Sequence, residues 1–202
     1  MTIDVNTHAT RSFRLSLAAA AVAAALGLQT TPDGRVAWST ATAQETVRGE
    51  VGRPLQAARD AIKGKRYSEA LAKLREADAV PNLTASEKFL IEQMRASAAL
   101  SAGDNGQAIK AIQALLASGR LSESQQAQYA GSLASLYYRE KDYREAAQWA
   151  GKALRSNPSD GAMRSLQISS YYLAGDLASA SREALEDVQA AEKAGRIPPE
   201  DR

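Results

Sequence analysis

Three observations on this 202-residue chain predict an all-α fold built from repeated helix pairs. Four alanines, Ala70, Ala108, Ala146 and Ala180, stand 38, 38 and 34 residues apart, each ending a tetrad that begins with Tyr67, Asn105, Tyr143 or Leu177. A two-residue turn precedes each tetrad: Lys65-Arg66, Gly103-Asp104, Lys141-Asp142 and Gly175-Asp176. Tyr137-Tyr138 also recurs 34 residues later as Tyr171-Tyr172. Self-similarity at a fixed period is the mark of a repeat architecture. Hydrophobic content of 45% with only 5% aromatic residues implies a core of Ala and Leu, which suits closely packed helices.

Taken in order, residues 1–43 read as a secretory signal peptide. Arg11 and Arg14 precede an uncharged apolar run from Leu15 to Leu28. As a helix its fourteen residues would span about 21 Å, short of a hydrocarbon core of about 30 Å. Ala41-Thr42-Ala43 supplies the small-residue cleavage site and a mature start at Gln44. Arg11-Ser12-Phe13-Arg14 is not a twin-arginine pair, so general export to the periplasm, or association with the envelope, is the expectation. The spacer from Gln29 to Thr40 is long, and an uncleaved anchor is the alternative. Cleavage would remove His8, the one histidine, and would leave no stable membrane span.

A short linker, residues 44–50, leads to four helix pairs over residues 51–194, and residues 195–202 form a tail or the start of a further helix. Pro54 is expected at the first helical position, where its missing N–H costs nothing. Thr84-Ala85-Ser86-Glu87 and Ser122-Glu123-Ser124-Gln125 read as capping boxes. Helix stops are expected at Gly64, Gly103, Gly119 and Gly175, and Pro81, Pro158 and Pro198-Pro199 close second helices. Leu71 with Leu74, Ile109 with Ile112, and Leu115 with Leu116 have the spacing of one helix face. No strand pattern stands out.

These residues resemble the tetratricopeptide repeat family. In the third copy, Leu133, Ala134, Tyr137, Tyr143, Ala146, Ala153 and Pro158 fall at its signature spacing; the fourth keeps Ile168, Tyr171, Gly175, Asp176, Ala180 and Ala184. The resemblance implies an α-solenoid of stacked antiparallel helix pairs over residues 51 to 194. It also implies that first helices line a concave face, with the residue after each packing aromatic turned toward ligand. Those places hold Leu100, Tyr138 and Tyr172, with Arg139 adjoining and Tyr137 and Tyr171 packing between helices. Relatives that clamp a chaperone's C-terminal carboxylate use Lys and Asn where this chain has Gln93, Ser97, Gly131, Ser135, Ser165 and Ser169, so that clamp is missing.

A net charge of +2 argues against a nucleic-acid binder. Without Cys, and without His after cleavage, catalytic triads, thiol catalysis and histidine-held metals have no residues to use. No cofactor is expected. Glu183, Glu186 and Asp187 read as a solvated helix face, Lys63-Gly64-Lys65-Arg66 as a solvated turn, and Asp142 and Asp176 as helix caps. The expected function is a non-catalytic adaptor that binds a protein or peptide through Tyr138, Tyr172, Leu100 and Arg139. One alternative is a structural subunit of an envelope assembly or export complex, homo- or hetero-oligomeric. Another is a polysaccharide-associated accessory protein, for which Trp149 on a second helix is thin support. Ile197-Pro198-Pro199-Glu200 resembles the entry to another helix, so a longer repeat protein, or capping by a partner, is expected at that end.

Overall fold

The computed structural model describes residues 47–193 together with two short strands, β1 (Leu28–Thr30) and β2 (Val36–Trp38). The strands belong to one compact unit, residues 1–41, and the helices to a second, residues 42–202. β1 and β2 pair antiparallel, with Leu28 opposite Trp38 and Thr30 opposite Val36. The sequence reading anticipated no strand. The signal that could have found the pair is Pro32-Asp33-Gly34, a turn-favouring sequence shortly before the apolar Val36-Ala37-Trp38. The remainder of residues 1–46 and the tail from 194 lie outside the described residues, so the signal-peptide, cleavage and C-terminal readings fall there.

Eight α-helices follow: α1 (Gly49–Lys63), α2 (Tyr67–Asp78), α3 (Ala85–Ala102) and α4 (Asn105–Ala117), then α5 (Glu123–Arg139), α6 (Tyr143–Ser156), α7 (Gly161–Leu173) and α8 (Leu177–Lys193). No helix among the described residues is long and apolar enough to cross a membrane. The repeated turns act within each pair, between α1 and α2, α3 and α4, α5 and α6, and α7 and α8. Lys65, Gly103, Lys141 and Gly175 all adopt left-handed φ, at 58°, 75°, 62° and 80°. The next residue's amide then donates to the carbonyl five positions back, at 2.8–2.9 Å in all four turns. In three turns that residue is also an aspartate whose carboxylate caps the following helix: Asp104 accepts from the Gln107 amide, Asp142 from Glu145 and Asp176 from Ser179. One residue thus closes one helix and opens the next.

Two expectations need correction. α1 begins at Gly49, inside the expected linker, so Pro54 sits within the helix and not at its first position. Gly64 has φ −78°, and the left-handed residue of that turn is Lys65. Both capping boxes form as expected, Thr84 with Glu87 and Ser122 with Gln125.

Each helix packs against its neighbour in sequence, and α3 and α7 each lie on both helices of the preceding pair. Ala70, Ala108 and Ala146 are fully buried and Ala180 nearly so; side chains this small let neighbouring helices approach closely. Between them the core is filled by Leu74, Ile91, Ile112, Leu115, Leu133 and Leu136, all completely buried. Each such side chain contributes roughly 1.5–3 kcal/mol relative to exposure. The four extra residues in the first two repeat spacings lie in the first helices: α3 and α5 have 18 and 17 residues against 13 in α7. That is about one helical turn, which leaves the buried face in phase.

The entry to α1 is fixed from a distance. Glu87, at the start of α3 and 1% exposed, accepts from the Arg48 amide at 3.1 Å and from the Arg48 guanidinium at 2.9 Å. It also accepts from the Thr84 amide. Arg48 reaches on to the carbonyls of Pro81 and Asn82. The Arg48 guanidinium, followed by the Thr84 amide, holds the Glu87 carboxyl down to about 2.

Candidate functional site

The sequence offered two adjacent tyrosines at the end of α5 and two more at the end of α7. Successive helical residues point about 100° apart, so one of each pair turns inward when its neighbour turns outward. Tyr137 packs against the core, and its hydroxyl accepts from Gln113 Nε2 of α4 at 2.8 Å. Burial pushes its phenol above the ordinary value. Tyr138 is half-buried and meets the Tyr143 ring edge-on, with centroids 5.4 Å apart. Tyr171 is half-buried, whereas Tyr172 is 64% exposed.

Tyr138 and Tyr172 line one open cavity of about 480 Å³. α7 contributes Ile168, Ser169 and Leu173 to its wall, and α8 contributes Ala180, Ser181 and Ala184. The lining holds no charged side chain. Two tyrosines and two serines line it among aliphatic residues. Such a surface suits an apolar ligand that also offers a few hydrogen-bonding groups.

α7 is brought in closely by two glycines beneath it. A Cβ at Gly151 would fall 2.9 Å from Gln167 Nε2, and one at Gly131 would fall 3.1 Å from Met163 Cε. Gln167 and Ser170 are consequently buried, which turns Ser169 and Tyr172 outward.

The other two residues expected at the site do not line the cavity. Leu100 is half-buried against the core of an inner pair. Arg139 is exposed, and its Nε donates to the Ser135 carbonyl at 3.4 Å. The sequence reading missed a stripe on α8: Leu177, Leu185 and Val188 are 59%, 58% and 40% exposed, and Leu173 beside them is 46% exposed. Positions i, i+8 and i+11 share one helix face, so the pattern was present in the sequence.

Asp187 receives Arg164 Nε at 3.4 Å and Glu183 lies 3.7 Å from Arg182. Lys63, Gly64, Lys65 and Arg66 are exposed, with Arg66 paired to Glu69 at 3.1 Å. Among the described residues no three His, Cys, Asp or Glu side chains gather as a metal-binding group would.

No protein-family model matches the sequence, and no curated protein matches it. Among solved structures the chain is similar to one described as the crystal structure of MamA protein, at 16% identity and a TM-score of 0.49, covering 74% of this chain and 79% of that one. A likeness that distant decides nothing by itself. The helices of residues 49–193 and the register of their pairs fit a tetratricopeptide-like arrangement on their own evidence.

Proposed function

We propose that the chain is a non-catalytic adaptor, an exported α-solenoid that holds another protein or a peptide in the bacterial cell envelope. The observation that carries this reading is the uncharged cavity joining Tyr138 to Tyr172. Tyrosine gives broad contact area and a hydroxyl at modest entropic cost, and it is enriched among residues that dominate protein interfaces. The envelope setting rests on the form of residues 1–43: a basic start, a short apolar run and Ala41-Thr42-Ala43.

The test places a photo-crosslinking side chain at Tyr138 or Tyr172 in intact cells, with Lys152 as the control. Lys152 is exposed and lies over the Trp149 ring on α6, away from the cavity-lining residues. The expected outcome is one discrete protein adduct from both tyrosine positions, absent from Lys152 and lost when the other tyrosine is replaced by serine. Equal labelling at all three positions, or none at the tyrosines, overturns the reading. A structural subunit is the second reading, favoured by the exposed Leu177, Leu185 and Val188. Permanent association of the purified chain would select it.

A further inference from the structure

We infer that Tyr143 is a positioning residue of the candidate site. Its ring holds Tyr138 in the cavity wall, whereas Tyr172, the counterpart of Tyr138 one repeat later, has no such support and is free to adjust. The inference deepens the proposed function, and rests on it, by dividing the site into a fixed contact and a movable one. Its ground is a comparison of two turns with one geometry. After Tyr138, the Lys141 amide donates to the Tyr138 carbonyl at 3.1 Å and the Asp142 amide to the Tyr137 carbonyl at 2.9 Å. After Tyr172, the Gly175 amide donates to the Tyr172 carbonyl at 3.0 Å and the Asp176 amide to the Tyr171 carbonyl at 2.9 Å. Lys141 and Gly175 are both left-handed, and Asp142 and Asp176 both cap the helix that follows. Both turns therefore bring the first residue of that helix to the same place relative to the outward tyrosine.

The side chain at that place differs. On α6 it is Tyr143, half-buried, whose ring meets Tyr138 with the planes at 67°. On α8 it is Leu177, 59% exposed, and no ring contact holds Tyr172 among the described residues. An edge-on aromatic contact depends on orientation, because the positive edge of one ring meets the negative face of the other. It therefore favours one setting of the Tyr138 side-chain torsions over the alternatives. A side chain already held in place loses little freedom when a partner binds, whereas a mobile one is ordered at that moment. Tyr138 thus selects a contacting group by shape, and Tyr172 re-aims to fit what lies next to it.

The test uses the full chain with fluorotyrosine in place of Tyr138 or Tyr172, followed by fluorine NMR. The label at Tyr138 is expected to resonate away from free fluorotyrosine, displaced by the neighbouring ring. Tyr143→Leu should return it toward the free value, and Tyr143→Phe, which keeps the ring, should preserve the displacement. The label at Tyr172 is expected near the free value, and Leu177→Tyr should displace it. In cells, with the photo-crosslinking side chain at Tyr172, Tyr143→Leu should lower the yield of the discrete adduct about threefold, and Tyr143→Phe should leave it at the native level. A Tyr138 signal indifferent to Tyr143→Leu, a Tyr172 signal indifferent to Leu177→Tyr, or an adduct yield unchanged by Tyr143→Leu overturns the inference. An equal loss with Tyr143→Phe also overturns it, because the ring contact is then not what matters. The two levels separate cleanly. An adduct that forms normally despite Tyr143→Leu removes the positioning role and leaves the adaptor standing, whereas no adduct from the native chain removes the adaptor and this inference with it.

Discussion

The first helix pair and the last are the same motif under opposite conditions. In the first, α1 and α2 bury Val51, Ala58, Ala61, Leu74 and Ala77 completely, and α3 covers them. Yet its turn has the poorest local chemistry of the four: Lys65 occupies the left-handed position, and Arg66 stands where an aspartate caps the other second helices. In the last pair the local chemistry is complete, with Gly175 left-handed, Asp160 capping α7 and Asp176 capping α8. There α8 buries only Ala180. Of these two pairs, the one with the thinner packing has the more complete local signals. A helix without a cover depends on its caps, whereas a covered one tolerates poor ones.

The largest expected effect comes from deleting the same side chain at the two ends. Leu74→Ala should cost about 3 kcal/mol, because a fully buried leucine leaves a cavity that α1 and α3 cannot close. Leu185→Ala should cost less than about 0.5 kcal/mol. Urea unfolding of the two variants measures the contrast, and equal losses would mean that α8 is covered after all.

A smaller effect sharpens what holds the first pair. Glu87→Gln should cost about 2 kcal/mol, since it leaves the Arg48 guanidinium and two amides without a charged acceptor. The pH dependence has a definite sign. The Glu87 carboxyl lies at about 2 in the folded chain against 4.5 ordinarily, so the folded state binds its proton less readily than the unfolded one. Its contribution is complete above about pH 4.5 and is lost as pH falls toward 2. The stability gap between the native chain and Glu87→Gln should therefore narrow across that window. A gap that is constant with pH would show that the pair is not what fixes the entry to α1.

The repeat was legible in the sequence because its marks are local: a left-handed residue, an aspartate cap and a buried alanine, all within a few residues. The start of α1 was not, because Glu87 sets it from 39 positions away. Lys65 in place of Gly64 was missed for a related reason: register, and not the identity of the glycine, decides which residue turns left-handed. At the candidate site, Tyr138 and Tyr172 could be singled out because each is the second residue of a tyrosine pair that recurs after 34 positions. Leu100 holds the corresponding place on α3, where it is half-buried against the core and lies outside the cavity. Whether an equivalent position is open depends on what covers it, which no local pattern records.

The smallest effects act on the turns and bear most directly on the balance between caps and cover. Lys65→Gly should stabilise by about 0.5 kcal/mol: a left-handed non-glycine residue is strained by about 1 kcal/mol, and the added freedom of glycine in the unfolded chain returns part of that. Arg66→Asp should gain about 0.5 kcal/mol, a new cap worth about 1 kcal/mol offset by loss of an exposed ion pair with Glu69. Asp176→Ala removes an existing cap and should cost about 1 kcal/mol by the same rule. Unfolding curves would register all three, but amide exchange discriminates better. In the first pair the cover already holds α2 closed, so its amides should slow only in step with global stability. In the last pair Asp176→Ala should speed exchange through α8 well beyond the global change, because nothing in the described fold lies over that helix to oppose local opening. If α8 exchanged no faster than the rest of the chain, the last pair would owe its order to packing, as the first does.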